Sequence, residues 1–307
     1  MKIINSFERQ RAGVIRDGEI TKKDGNIVPI YLIDSFHTLT QFVGYAKFMN
    51  RYYGNVYFRG QTSLHEGMLI PSVFRPPLDT ASVNYSWRFD KHNIQIEKTL
   101  SSSKAFNSIS SYAIEPLLQH YGIKTTWLDV VDNLWVALWF GLHNFSSITL
   151  EDHEHVHITE DSPDQYAYLF LLAVDAQQER EENTASGLQR IPGVYSGAET
   201  NLVDLRKAVP SYYLRPHAQH ALMVQKKRIL TKAPLSQSDV DYSDFIVAIA
   251  KIKRERGLTW TGNSGLLSIQ SLFPPAYFDN GYRRLLEYYK VAADAIPTYG
   301  SIQVISY

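Results

Sequence analysis

Two short stretches gather the residue types that do chemistry. The first is Tyr57-Phe58-Arg59-Gly60-Gln61, which sets a guanidinium between an aromatic ring and a glycine. A guanidinium is a planar fork that holds phosphate or carboxylate through paired hydrogen bonds. Glycine lets a ligand come close to the backbone. The pentapeptide therefore reads as an anion anchor, or as a surface arginine beside a turn. The second stretch runs from Gln119 to Asp129 and holds His120, Thr125, Thr126 and Asp129. His120 could serve as a general base or as a structural histidine whose ring has found a partner. Asp129 could supply a catalytic carboxylate or cap the helix that follows it.

A third pattern, His153-Glu154-His155-Val156-His157, fits a zinc-protease spacing. That chemistry needs His153 and His157 on one face of a helix, with Glu154 as the base. Val156, Ile158 and Thr159 favour strand or loop, and Pro163 follows closely. The segment is read as a solvated loop and no metal is assigned. The chain contains no P-loop, no Gly-x-Ser-x-Gly and no Gly-x-Gly-x-x-Gly. That excludes many common nucleotide-binding and hydrolase classes. Lys226-Lys227-Arg228, Lys251 to Arg256 and Arg283-Arg284 are basic clusters. They read as solvated surface or, if they line one cleft, as a guide for RNA.

These residues need elements to hold them. Val28 to Ile33 reads as an early strand, with Pro29 near its start or at a sheet edge. Asp34-Ser35 can cap a helix over His37 to Met49. Asn55 to Phe58 reads as a short strand that places Arg59 at its end. Trp87 to Phe106 reads as a polar-faced helix. Pro116 can begin a short helix and Gly122 can stop it. Thr125 to Leu128 is strand-like, and Asp129 to Asn133 is a turn before the apolar helix Leu134 to Leu142. Tyr166 to Val174 is a buried strand, Gln177 to Asn183 a polar loop, and Ala198 to Val209 a helix. His220 to Val224 and Phe245 to Ile252 read as strands, Tyr282 to Tyr289 as a helix. Leu266 to Phe273 is ambiguous. The pattern is mixed α+β around one core.

Composition sets the outer bounds. The 307 residues are 44% hydrophobic, enough for a sizeable core. Charge is balanced, with 31 Lys+Arg against 31 Asp+Glu, so no long-range field draws the chain to nucleic acid or anionic lipid. There is no cysteine, which excludes disulfides, thiolate nucleophiles and cysteine-ligated metals. The N-terminus has no signal-peptide core, and no apolar run approaches the roughly 18–20 residues of a membrane span. A cytoplasmic location without membrane contact is expected. The 20 Tyr and 14 Phe read as core packing, or as rings lining a nucleotide cleft.

The two chemical stretches together resemble the FRG-domain family. Arg59-Gly60, Gln119 to Gly122, Thr125, Leu128-Asp129 and Ala137 to Phe140 follow that family's pattern in order and separation. Lys124 and Trp127 stand where proline and leucine are common. Leu214 to Met223 is similar to a later family segment, with Ala221 for its glycine and Met223 for its aromatic. Ser271 to Pro274 is similar to its end. The resemblance spans roughly residues 30–290.

It implies a single mixed domain over 28–290, an N-terminal extension at 1–27 and a C-terminal tail or strand at 291–307. The order of motifs is similar to that of ADP-ribosyltransferases, which implies a split β-sheet core with flanking helices. It also implies NAD as co-substrate. By that resemblance Arg59, with Gly60 and Gln61, holds the NAD phosphates or ribose. Thr125 and Thr126 take the hydroxyl role, and Tyr121 or Trp127 stacks on nicotinamide. Gln219 occupies the late position where a glutamate is usual, with Asp129 as the candidate carboxylate and His120 as base. The implied activity is mono-ADP-ribosylation of RNA or protein, in a bacterial toxin or an anti-phage defence effector with an antitoxin partner. An NAD glycohydrolase and a non-catalytic nucleotide- or partner-binding module are the alternatives.

Overall fold

Every second residue of the central strands points to a different core, and that alternation organises the chain. In the computed structural model, residues 2–3, 13–22, 25–64, 69–75, 83–102, 106, 108–150, 153–184, 187–262, 265–288 and 302–306 are described. Their elements are β1 (Val14–Thr21), β2 (Ile27–Ile33), α1 (Phe36–Asn50), β3 (Asn55–Gln61), α2 (Tyr85–Ser102), α3 (Ser111–His120), β4 (Leu128–Val131), α4 (Leu134–Leu142), β5 (Asn144–Leu150) and β6 (His153–Thr159). They continue with β7 (Tyr166–Val174), β8 (Gln178–Thr184), β9 (Gly187–Ser196), β10 (Thr200–Asp204), α5 (Leu205–Ala208), α6 (Leu214–Ala218), β11 (Ala221–Lys226), α7 (Arg228–Thr231) and α8 (Gln237–Val240). Last come β12 (Ile246–Lys253), α9 (Arg254–Thr261), α10 (Ile269–Leu272), α11 (Asn280–Tyr288) and β13 (Gln303–Ser306).

Ten strands form one mixed sheet in the order β1-β2-β12-β7-β3-β4-β11-β10-β9-β8. On one face Tyr57, Leu128, Val130, Phe170, Leu172, Leu222 and Val224 build a core. On the other, Phe58, Val131, Leu169 and Leu171 pack with Val136, Trp139 and Leu142 of α4. Farther along that face, Val203, Ala221 and Met223 pack with Leu117 of α3 and Tyr213. The fold class is α+β, as expected. Among the described residues no helix is long and apolar enough to cross a membrane.

Several local expectations are corrected. Residues 153–159 are a strand, not a loop, paired antiparallel with β5. Val156 and Ile158 are buried in the α4 core, and β13 pairs parallel to β6. The residues that argued against a zinc helix, Val156, Ile158 and Thr159, belong to this strand. Gln178–Thr184 is also a strand, polar because it is the sheet's edge. The helix expected at Ala198 to Val209 is β10 followed by one helical turn, with Asp204 Oδ1 accepting from Arg206 N at 3.1 Å. All five β10 residues are buried, so tertiary packing overrides their helical look. Pro116 lies inside α3, which starts at Ser111. The sheet also reaches beyond the 28–290 span, because β1 pairs with β2 in the N-terminal extension. Of the expected tail at 291–307, residues 302–306 carry β13 and the others lie outside the described residues.

Candidate active site

β3 and β4 share one register pair, Phe58 with Val131. Past it the strands part, and the Arg59 side chain bridges the gap. Arg59 Nη1 donates to the Asp129 main-chain oxygen at 2.8 Å and stands 3.7 Å from Asp129 Oδ2. Arg59 keeps 18% of its side chain exposed and Asp129 keeps 44%, so the carboxylate opens to solvent. Burial pushes the guanidinium below its ordinary value and Asp129 opposes that shift. Arg59 Nε is buried with no hydrogen-bond partner among the described residues.

The second motif holds the carboxylate in place. Gln119 Nε2 donates to Asp129 Oδ2 at 2.8 Å. Thr125 Oγ1 donates to Gln119 Oε1 and accepts from Trp127 N at 3.2 Å. Asp129 sits within β4, so the expected turn and its helix-cap reading are corrected. Asn133 caps α4 instead, accepting from Trp135 N at 2.9 Å. His120 ends α3, before Gly122 at φ +114°. Burial pushes its ring down to about 4, against the pull of Asp129, so it is neutral at pH 7. Its Nε2 is buried without a partner among the described residues.

Other expected site residues go elsewhere. Thr125 and Thr126 precede β4 rather than forming a strand with it, and both are fully buried. Thr126 donates through Oγ1 to Glu115 Oε1 at 2.8 Å and accepts from Gln225 Nε2 at 2.7 Å. Burial alone would raise Glu115; the His92 ring and Thr126 outweigh it and hold it below its ordinary value. Thr126 is thus a core hydrogen-bonding residue. Tyr121 is fully buried, stacks on Tyr282 at 5.5 Å between centroids and donates to Asp279 Oδ2 at 2.6 Å. The Arg215 guanidinium lies 4.6 Å from its ring centre. Both are packing partners in place of a nicotinamide. Trp127 packs in the α3 core. Gln219 caps α6 before β11 and donates to Leu272 O at 2.7 Å, away from the arginine.

Gly60 has a packing reason. A Cβ there would collide with the Ala137 carbonyl of α4 and lie 2.5 Å from Gly141 N. Close helix packing on β3 requires the glycine, whatever binds nearby. Gln61 is the half-buried last residue of β3.

Arg75, which no motif singles out, lies in the segment between β3 and α2. It follows the helical turn Ser72–Phe74, which Thr125 anchors through its N–H to Ser72 Oγ at 3.3 Å. Burial, then the neighbouring Arg59 charge, pushes Arg75 down to about 10, and Asp129 opposes them. Its only sequence signal is a basic residue in a proline-punctuated loop.

Among comparisons with known proteins, a family model matches within this region. No curated protein and no solved structure matches the chain. The matched segment runs from the residue before β3 through α4 into β5, and so contains Arg59, Gln119, Thr125 and Asp129. Residues 54–148 of this chain match the family model of the FRG domain.

Proposed function

We propose that the Arg59–Asp129 site binds NAD and transfers its ADP-ribose to a macromolecule, RNA or protein. One observation carries the reading. The family's two motifs meet where a partly buried arginine bridges two parting strands beside an open carboxylate. That layout supports an ADP-ribosyltransferase-like split sheet, with the arginine on one strand and the carboxylate on the next.

NAD, when bound, supplies the ADP-ribosyl group and nicotinamide as leaving group. The residues present suit it. Arg59 holds Asp129 through Nη1, which leaves the Nη2 end of the fork for a phosphate oxygen. Asp129, fixed by Gln119, can face positive charge that develops at the ribose, a role a fixed carboxylate fills without reorganising. His120, neutral at pH 7, is in the protonation state that a general base needs. Gln219 has no part in this assignment, because its amide is held by Leu272. On this reading the protein works in the cytoplasm as a bacterial toxin or phage-defence effector, restrained by an antitoxin.

The test is incubation with adenylate-labelled NAD and cell extract, followed by separate nuclease and protease digestion. Label in the precipitate supports transfer, and the digestion that releases it names the acceptor class. Nicotinamide release without labelled macromolecule makes the protein a glycohydrolase. NAD binding without turnover makes it a binding module. No binding overturns all three.

A further inference from the structure

The strands that end the two sheets are built differently, and β5 lacks every feature that keeps an edge from pairing. The ten-stranded sheet ends in β1 and β8, the three-stranded sheet in β13 and β5. β1 exposes Arg16, Asp17 and Glu19 and breaks register between Arg16 and Glu19. β8 carries Glu179, Arg180, Glu181 and Glu182 and breaks register between Glu179 and Glu181. Charge and broken register on an edge strand both oppose the addition of another strand. β13 is four residues long, which leaves little to pair.

The sequence of β5 is Asn144-Phe145-Ser146-Ser147-Ile148-Thr149-Leu150, with no charge, no proline and no glycine. It pairs with β6 over all seven residues without a register shift, and no strand lies on its other side among the described residues. At roughly 3.3 Å per residue it offers an open edge about 23 Å long, with main-chain donors and acceptors in an even row. Phe145 pins the strand to the core, its ring centre 5.9 Å from that of Phe140 in α4 and 5.8 Å from that of Phe273. Ile148 and Leu150 fall on the opposite face by alternation and are 62% and 49% exposed. Ser146 and Ser147 are exposed as well.

Charge selects the occupant. Antiparallel pairing about a two-fold axis sets a strand against a copy of itself, so a charge near the axis meets its like. β5 has no charge to meet. The whole chain balances 31 Lys+Arg against 31 Asp+Glu, so two copies approach without net repulsion. A charged peptide would find no opposite charge on this strand.

We propose that β5 is a self-association edge, on which two copies of this chain pair their β5 strands antiparallel about a two-fold axis. The two three-stranded sheets then become one continuous sheet, and Ile148 and Leu150 gain cross-strand neighbours. A seven-residue strand pair buries less than the roughly 1,600 Å² of a standard interface, so the dimer should be reversible and concentration-dependent.

The experiment is sedimentation velocity of the full chain over a concentration series, for wild type, Ser146→Lys, Ile148→Lys and, on a charged edge, Glu182→Lys. Wild type and Glu182→Lys should pass from monomer to dimer as concentration rises. The two β5 variants should associate more weakly by about tenfold or more, because each copy brings a like charge to the shared edge. Melting curves check that each variant is folded. The chain has no cysteine, so Ser147→Cys carries a single thiol. Mild oxidation should cross-link it into a dimer and should leave Glu182→Cys monomeric. Wild type that stays monomeric at every soluble concentration overturns the proposal and leaves the edge to a strand from another protein. A dimer formed equally well by folded Ser146→Lys and Ile148→Lys also overturns it, since the copies then meet elsewhere.

Discussion

Arg59 donates to the main-chain oxygen of Asp129 at 2.8 Å while its guanidinium stands 3.7 Å from the same residue's carboxylate. One side chain thus closes the gap between two strands and sets the charge beside an open carboxylate. Arg59→Lys keeps the charge and loses the fork. It should weaken NAD binding about tenfold or more, the scale of a lost charge-assisted hydrogen bond of about 1.5–3 kcal/mol. Calorimetric titration of NAD into both proteins checks this, and equal affinities contradict it.

Gly60 is expected to matter for folding as well as for any ligand. Gly60→Ala should destabilise by about 1–3 kcal/mol or more, since the new methyl collides with α4 backbone rather than with a movable side chain. Urea midpoints measure this. A midpoint equal to wild type would mean that α4 sits farther from β3 than this packing requires.

His120 gives a pH prediction with a definite sign. Its folded value of about 4 lies below the ordinary 6.5, because burial disfavours the cation. The unfolded chain therefore binds more protons between these values, and stability should fall as pH drops from about 6.5 toward about 4. Burial also lowers His143 and His217, which add to the same slope. For His217 that lowering runs against the nearby Asp204 carboxylate. His120→Gln should flatten the dependence of the urea midpoint on pH across that window. An unchanged slope contradicts a buried neutral ring at 120.

Gln219 separates the structure from the motif comparison. Its amide donates to Leu272 O at 2.7 Å in a buried setting. Gln219→Glu restores the residue usual at the late position, but it aims a carboxylate at a carbonyl oxygen. It should lower stability by about 1–3 kcal/mol through the unsatisfied buried group, and should not raise nicotinamide release. A faster variant would return position 219 to the site.

How much of this was legible in the sequence varies by residue. The strand that carries Arg59 was legible because its β-rich run is local, whereas Asp129, expected in a turn, lies within β4. Ser35 was legible too, since a cap bonds within its own turn: Thr38 N donates to Ser35 Oγ at 3.1 Å. The role of Thr126 was not, because its partners Glu115 and Gln225 come from α3 and β11, which only the fold brings together. Tyr121 and Gln219 were misplaced for the same reason: Asp279, Tyr282 and Leu272 lie far along the chain. The β8 strand was missed because an edge strand needs no apolar alternation.

The Arg59–Asp129 site stands or falls on nicotinamide release from NAD by wild type, Arg59→Ala and Asp129→Asn, each with extract as acceptor and each checked by melting temperature. Wild type should release nicotinamide, and both variants should lose about 100-fold or more, the scale of removing one electrostatic contact to the transition state. Folded variants that release nicotinamide at the wild-type rate would contradict a catalytic role for this pair.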